Sequence, residues 1–123
     1  MKQQEINNAY PSIAKLLDAR LPIKKARAIY EMYSLLEASY DFACREQQKY
    51  LDEYNITIEN GLLRFHGENK ESDYAGFRKK LDDLLESDVN LDIKPVVITE
   101  EELGAHKVSA MDIHNLSGFV FFD

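Results

Sequence analysis

Apolar residues recur at helical spacing early in the chain. Ile13, Leu16 and Leu17 follow Pro11, a residue suited to an early helical position, and the pattern runs to about Arg20. Leu21-Pro22 then interrupts it, since proline disfavours helical geometry in the residue before it and is well placed to open the next helix. From Pro22 to about Tyr54 there is neither glycine nor proline. Ile29, Leu36, Ala43 and Tyr50 interleave with Tyr33, Tyr40, Gln47 and Tyr54 in seven-residue steps, which predicts one long amphipathic helix. At about 1.5 Å per residue such a helix spans roughly 45 Å. A stripe of that length exceeds what a compact domain of this size covers, so part of it is expected to pack on another chain or to project.

The period then changes. Ile56-Thr57-Ile58 and Leu62-Leu63-Arg64-Phe65 flank Glu59-Asn60-Gly61, and Asn-Gly tolerates the positive φ of a tight turn, which predicts a β-hairpin. His66 to Glu71 reads as a loop. Ser72 is the expected cap of a helix with Tyr74, Phe77, Leu81, Leu84 and Leu85 on one face. Val89, Leu91 and Ile93 alternate with polar residues as a half-buried strand would, stopping at Pro95, and Val96 to Ile98 continues as a further extended segment. Thr99 with Glu102, and Ser109 with Asp112, are two capping-box starts of short helices, ended by Gly104 and Gly118. Phe119 to Phe122 is too apolar to be a free tail. The expected fold is α+β and mainly helical: a single domain over residues 1–123 with one long central helix, a small antiparallel hairpin and short C-terminal helices.

Composition agrees with a folded unit: 45% hydrophobic and 30% charged, with seven Tyr, six Phe and no Trp. The formal charge of −7 argues against general affinity for nucleic acid, which relies on neutralised phosphates. The charge is unevenly spread. Residues 1–50 carry eight bases and six acids, whereas residues 51–123 carry seven bases and sixteen acids. The single cysteine, Cys44, forms no internal disulfide, and a reducing cytoplasm is the expected compartment. No apolar run reaches the length of a signal core or a membrane span, so neither secretion nor a membrane is expected.

Catalytic and metal chemistry find little foothold. His66, His106 and His114 have no partner at ligand spacing, and Cys44 has no His or Lys within a helical turn, so it reads as a small packing residue. The five glycines are dispersed and form no phosphate loop. The pairs and runs of carboxylates, Asp82-Asp83 and Glu100 to Glu102, have the composition of a solvated face. No enzyme activity, cofactor or metal is expected. Arg20, Lys24, Lys25 and Arg27 are different: four bases in eight residues at the start of a helix, where cations oppose the macrodipole. They either pair with the acidic second half or hold an anion. Tyr33 and Tyr40, with Tyr30, Tyr50 and Tyr54, give the long helix a tyrosine-rich surface of a kind enriched at interfaces.

The short helix closing on Ala-Arg-Leu-Pro-Ile-Lys-Lys-Ala (Ala19 to Ala26), the long Tyr- and Glu-bearing helix, the turn at Gly61, the stretch from Lys80 to Ile93 and the closing Val108 to Val120 together resemble a family of small proteins encoded by phages and prophages of Gram-positive bacteria. Phe121-Phe122-Asp123 departs from that pattern by being more aromatic. The resemblance implies a phage-borne accessory protein working in the host cytoplasm. The expected function is a non-enzymatic protein that blocks a host factor, such as a defence component, through an acidic surface including Glu100, Glu101 and Glu102, with Tyr33 and Tyr40 as further contacts and homo-oligomerisation through the long helix. The alternatives are an oligomeric sponge that sequesters an anionic nucleotide on Arg20, Lys24, Lys25 and Arg27, and a virion or tail assembly chaperone.

Overall fold

The structure, a computed structural model, describes residues 1–123. It is α+β and mainly helical. In chain order the elements are α1 (Gln3–Leu16), α2 (Ile23–Glu53), β1 (Ile56–Glu59), β2 (Leu62–Phe65), α3 (Lys70–Glu86), β3 (Val96–Ile98), α4 (Glu100–Leu103), α5 (Ala110–Asn115) and β4 (Val120–Phe122). β1 and β2 pair antiparallel, while β3 and β4 pair parallel across the α4–α5 connection. No helix is long and apolar enough to cross a membrane.

α2 is the spine, and its bounds fall where Pro22 and Tyr54 predict. Neither end carries favourable charge: the first turn has no acid, the last no base, and Pro22 supplies no side-chain cap. Packing therefore sustains it. The expectation that its stripe exceeds what the domain can cover is corrected, because two separate clusters share the length. Ile29, Met32 and Leu36 join Ile6, Ala9, Ile13 and Leu16 of α1 with Val96, Ile98, Leu116, Phe119 and Val120 in the main core. Toward the other end of α2, Leu51 packs with Ile56 and Phe77, flanked by Tyr50, Tyr54, Phe65 and Leu81. Ala43, between the two, is also buried.

The predicted hairpin forms, with Ile56 opposite Phe65 and Ile58 opposite Leu63, and both Asn60 (φ 53°) and Gly61 (φ 77°) occupy the left-handed region of a tight turn. Both capping boxes are formed, Thr99 with Glu102 and Ser109 with Asp112.

Four local expectations are corrected. α1 begins at Gln3, so Pro11 lies inside it rather than near its start; the missing N–H is tolerated because the flanking Ile6, Ala9 and Ile13 are fully buried and hold the helix in place. Asn69, not Ser72, caps α3: its side chain accepts from the Ser72 N–H at 3.1 Å. Val89, Leu91 and Ile93 form no strand. They pack half-buried against the main core, but their backbone meets only the N-terminus, where the Val89 N–H donates to the Met1 carbonyl at 2.7 Å and Lys2 and Asp88 form an isolated bridge. Alternation there reports burial without a ladder. Cys44 is exposed rather than packed, because α2 turns it away from both clusters.

Candidate functional site

The tyrosines of α2 meet a residue outside that helix. Tyr10 of α1 stacks between Tyr33, at 5.0 Å between ring centroids, and Tyr40, at 4.4 Å, and its hydroxyl donates to that of Tyr33 at 2.9 Å. The hydrogen bond to Tyr33, together with burial, pushes Tyr10 above the usual tyrosine range, and burial, with Cys44 alongside, does the same for Tyr40. Both predicted contact residues are thus half-buried in an intramolecular stack that fastens α1 to α2, whereas Tyr30 remains largely exposed. Tyr10 shares its face of α1 with Ile6 and Ile13, three or four residues away. That spacing is the signal in the sequence that places it against α2.

The two charged clusters, rivals as sequence features, touch each other. The Lys25 ammonium donates to Glu102 at 2.5 Å, and the same carboxylate accepts from the Thr99 N–H in the capping box at 2.9 Å. The lysine first, and the Thr99 N–H second, hold Glu102 below the usual carboxylate range. Lys25 and Glu102 are therefore structural: they tie the start of α2 to the start of α4. Arg20, Lys24 and Arg27 take part in none of the seven ion pairs, nor do Glu100 and Glu101.

A second buried lock joins α1 to α5. Asp112, 7% exposed, accepts from the Ser12 hydroxyl at 2.9 Å, from Lys15 at 3.0 Å and from the Ser109 N–H at 3.4 Å. Burial opposes ionisation, but these donors outweigh it and bring Asp112 down to about 2. The sequence shows the cap and not the Ser12 and Lys15 partners, which lie 100 and 97 residues away.

These two locks frame a cleft of about 370 Å³ at the C-terminal corner. Its apolar lining comes from Leu103 at the end of α4, Val108 ahead of α5, Ile113 on α5 and Phe122 on β4, and its rim carries Glu100 and Asp123. Ile113 (48%) is exposed on the cleft side of α5, whereas Met111 (66%), two residues away, is exposed on a different side of that helix. The Glu100 N–H donates to the Asp123 carbonyl at 3.0 Å and the Asp123 N–H to that of Ile98 at 3.0 Å, so the acidic rim is built on the β3–β4 ladder. Gly104, at φ 57°, reverses the chain beneath the rim, a conformation costly for a side-chain-bearing residue. From residue 95 to 123 there are five acids and one base, Lys107.

The histidines stay apart. His66 shares a hydrogen bond with Thr57 at 2.7 Å on the hairpin, His106 lines the C-terminal cleft, and His114 lines a polar hollow beside Asn8. No protein family, curated protein or solved structure matches the chain.

Proposed function

We propose that the chain is a non-enzymatic binding protein of phage or prophage origin that inhibits a host protein by seating a basic, amphipathic segment of it on the C-terminal corner. The observation that carries this reading is the juxtaposition of an apolar cleft with carboxylates that have no partner within the chain. Leu103, Val108 and Ile113 supply area whose burial is favourable at about 25 cal/mol per Å². Glu100 and Asp123 at the rim select positive charge and steer its approach. The net charge of −7 acts in the same direction at longer range. Glu102 is excluded from the contact, since it is committed to Lys25 and Thr99. The resemblance to phage proteins supplies the host setting.

Site-specific photo-cross-linking tests the reading, with benzoylphenylalanine in place of His106, which lines the cleft, in cells of a Gram-positive bacterium. The expected result is one predominant adduct whose cross-linked peptide carries net positive charge, abolished by Ile113→Asp and reduced severalfold by Glu100→Lys. An adduct indifferent to both substitutions would overturn the assignment.

A further inference from the structure

The outer side of the first turns of α2 carries an arrangement that the C-terminal corner does not use. Two contiguous clefts of about 340 Å³ run along it and share Ala28 and Glu31. One continues toward Ile23, Lys24 and Arg27. The other continues over Met32 and Leu35 and is walled by the extended chain at Asp92, Ile93 and Lys94. Ile23 is 76% exposed, the highest value of any large apolar residue in the protein, and Leu35 is exposed at the far end of the same groove. Neither Lys24, Arg27 nor Glu31 takes part in an ion pair. Lys24 and Glu31 are seven residues apart on one helix, two turns or about 10 Å, too far to pair with each other.

We infer that this groove is a self-complementary dimer contact, in which α2 of one copy crosses α2 of a second copy antiparallel about a two-fold axis between Arg27 and Ala28. In an isologous contact, residues equally displaced on either side of the axis meet. Lys24 of each copy then faces Glu31 of the other, so two ion pairs form from charges that have no partner within the chain. Ile23 of each copy drops over Met32 and beside Leu35 of the other, filling the groove with the most exposed apolar side chain available. Ala28, the small residue at the crossing, lets the axes approach to the 8–10 Å of packed helices. Lys24, unfavourable to its own helix dipole, gains the opposite charge it lacks. The second copy is the favoured occupant over a free anion because the groove carries carboxylates as well as cations, Glu31 and Asp92 beside Lys24, Arg27 and Lys94.

Charge reversal makes the test specific. Lys24→Glu alone sets two carboxylates against each other at both pair sites, and Glu31→Lys alone sets two ammonium groups against each other. Each variant, with an unchanged circular dichroism spectrum, should sediment as a monomer at a high micromolar concentration where the wild type is a dimer. Mixed in equal amounts, the two should re-form a dimer, since every pair site then holds one carboxylate and one ammonium group; the double variant Lys24→Glu, Glu31→Lys should dimerise by itself. Monomeric wild type would overturn the inference, as would a mixture that stays monomeric. A wild type that dimerises only when an anionic nucleotide is added, and does so equally in the Glu31→Lys variant, would overturn it in favour of ligand capture by the cations.

Discussion

At the scale of single residues, the locking contacts are polar side chains placed where two helices meet. Asp112 is the most connected of them, satisfying Ser12, Lys15 and the Ser109 N–H at once, and no buried side-chain nitrogen or oxygen in the protein lacks a partner. A carboxyl held near 2 in the folded chain, against about 3.9 when unfolded, means that the unfolded state binds more protons between those values. The stability it contributes is complete above the unfolded value and is lost as pH falls through the folded one. Urea denaturation of the wild type should therefore lose stability between about pH 4 and pH 2, and Asp112→Asn should be less stable than wild type near neutrality by about 2 kcal/mol while losing less on acidification. An identical acid dependence in both proteins would remove Asp112 as the source. The cap itself is legible in the sequence, because Ser109 and Asp112 stand three residues apart. Ser12 and Lys15 are not, because nothing local links them to position 112.

At the scale of elements, the parts legible in the sequence are those whose signal is local. Asn60-Gly61 fixes the hairpin turn through backbone conformation, and an uninterrupted apolar period that starts after Pro22 and runs to Tyr54 fixes α2. Val89 to Ile93 has a strand's alternation without being a strand, because a period of two reports which side is buried and not whether a neighbouring strand exists. α3 shows tertiary packing overriding propensity. Gly76 sits inside it, where helix propensity alone would favour alanine by about 1 kcal/mol. The ring of Tyr54, however, lies where the new methyl would go: a Cβ built on Gly76 would come within 2.5 Å of Tyr54 Cε1. Tyr54 is itself constrained, since it packs on the small cluster and Lys80 lies 5.7 Å over its ring. Gly76→Ala should thus destabilise the protein, by about 1 kcal/mol or more despite the propensity gain, and Tyr54→Ala made in the same chain should cancel most of the additional loss. Thermal unfolding of the four proteins in that cycle decides it; additive effects would mean that the ring moves aside freely.

At the scale of the whole molecule, α2 is shared by two cores of unequal size, twelve buried residues around α1 and the β3–β4 pair and three around the hairpin and α3. The smaller cluster is roofed by a two-stranded ribbon whose distal half, Ile58 (52%), Leu62 (73%) and Leu63 (37%), has no cover. Two-stranded ribbons contribute little stability by themselves, so this end depends on Leu51, Ile56 and Phe77. The sequence displays the α2 stripe as one continuous feature, and its division between two cores becomes visible only when α3 is seen to fold back on the far end. The same division separates the proposed working surfaces from the weaker end, since the C-terminal cleft and the groove at Ile23 and Glu31 both border the main core. Removing buried side-chain volume at Leu51 should accordingly loosen one end alone. In hydrogen exchange under native conditions, Leu51→Ala, at a cost of about 2 to 5 kcal/mol, should speed exchange of the Thr57 and Arg64 amides, which belong to a hydrogen-bonded pair of the hairpin, and of α3, and leave the Ile98 and Val120 amides at wild-type rates. Uniform acceleration across both ends would show that α2 couples the cores into one cooperative unit. Preserved protection at Ile98 and Val120 would mean that the hairpin end opens as a separate unit while the C-terminal cleft and the α2 groove keep their shape.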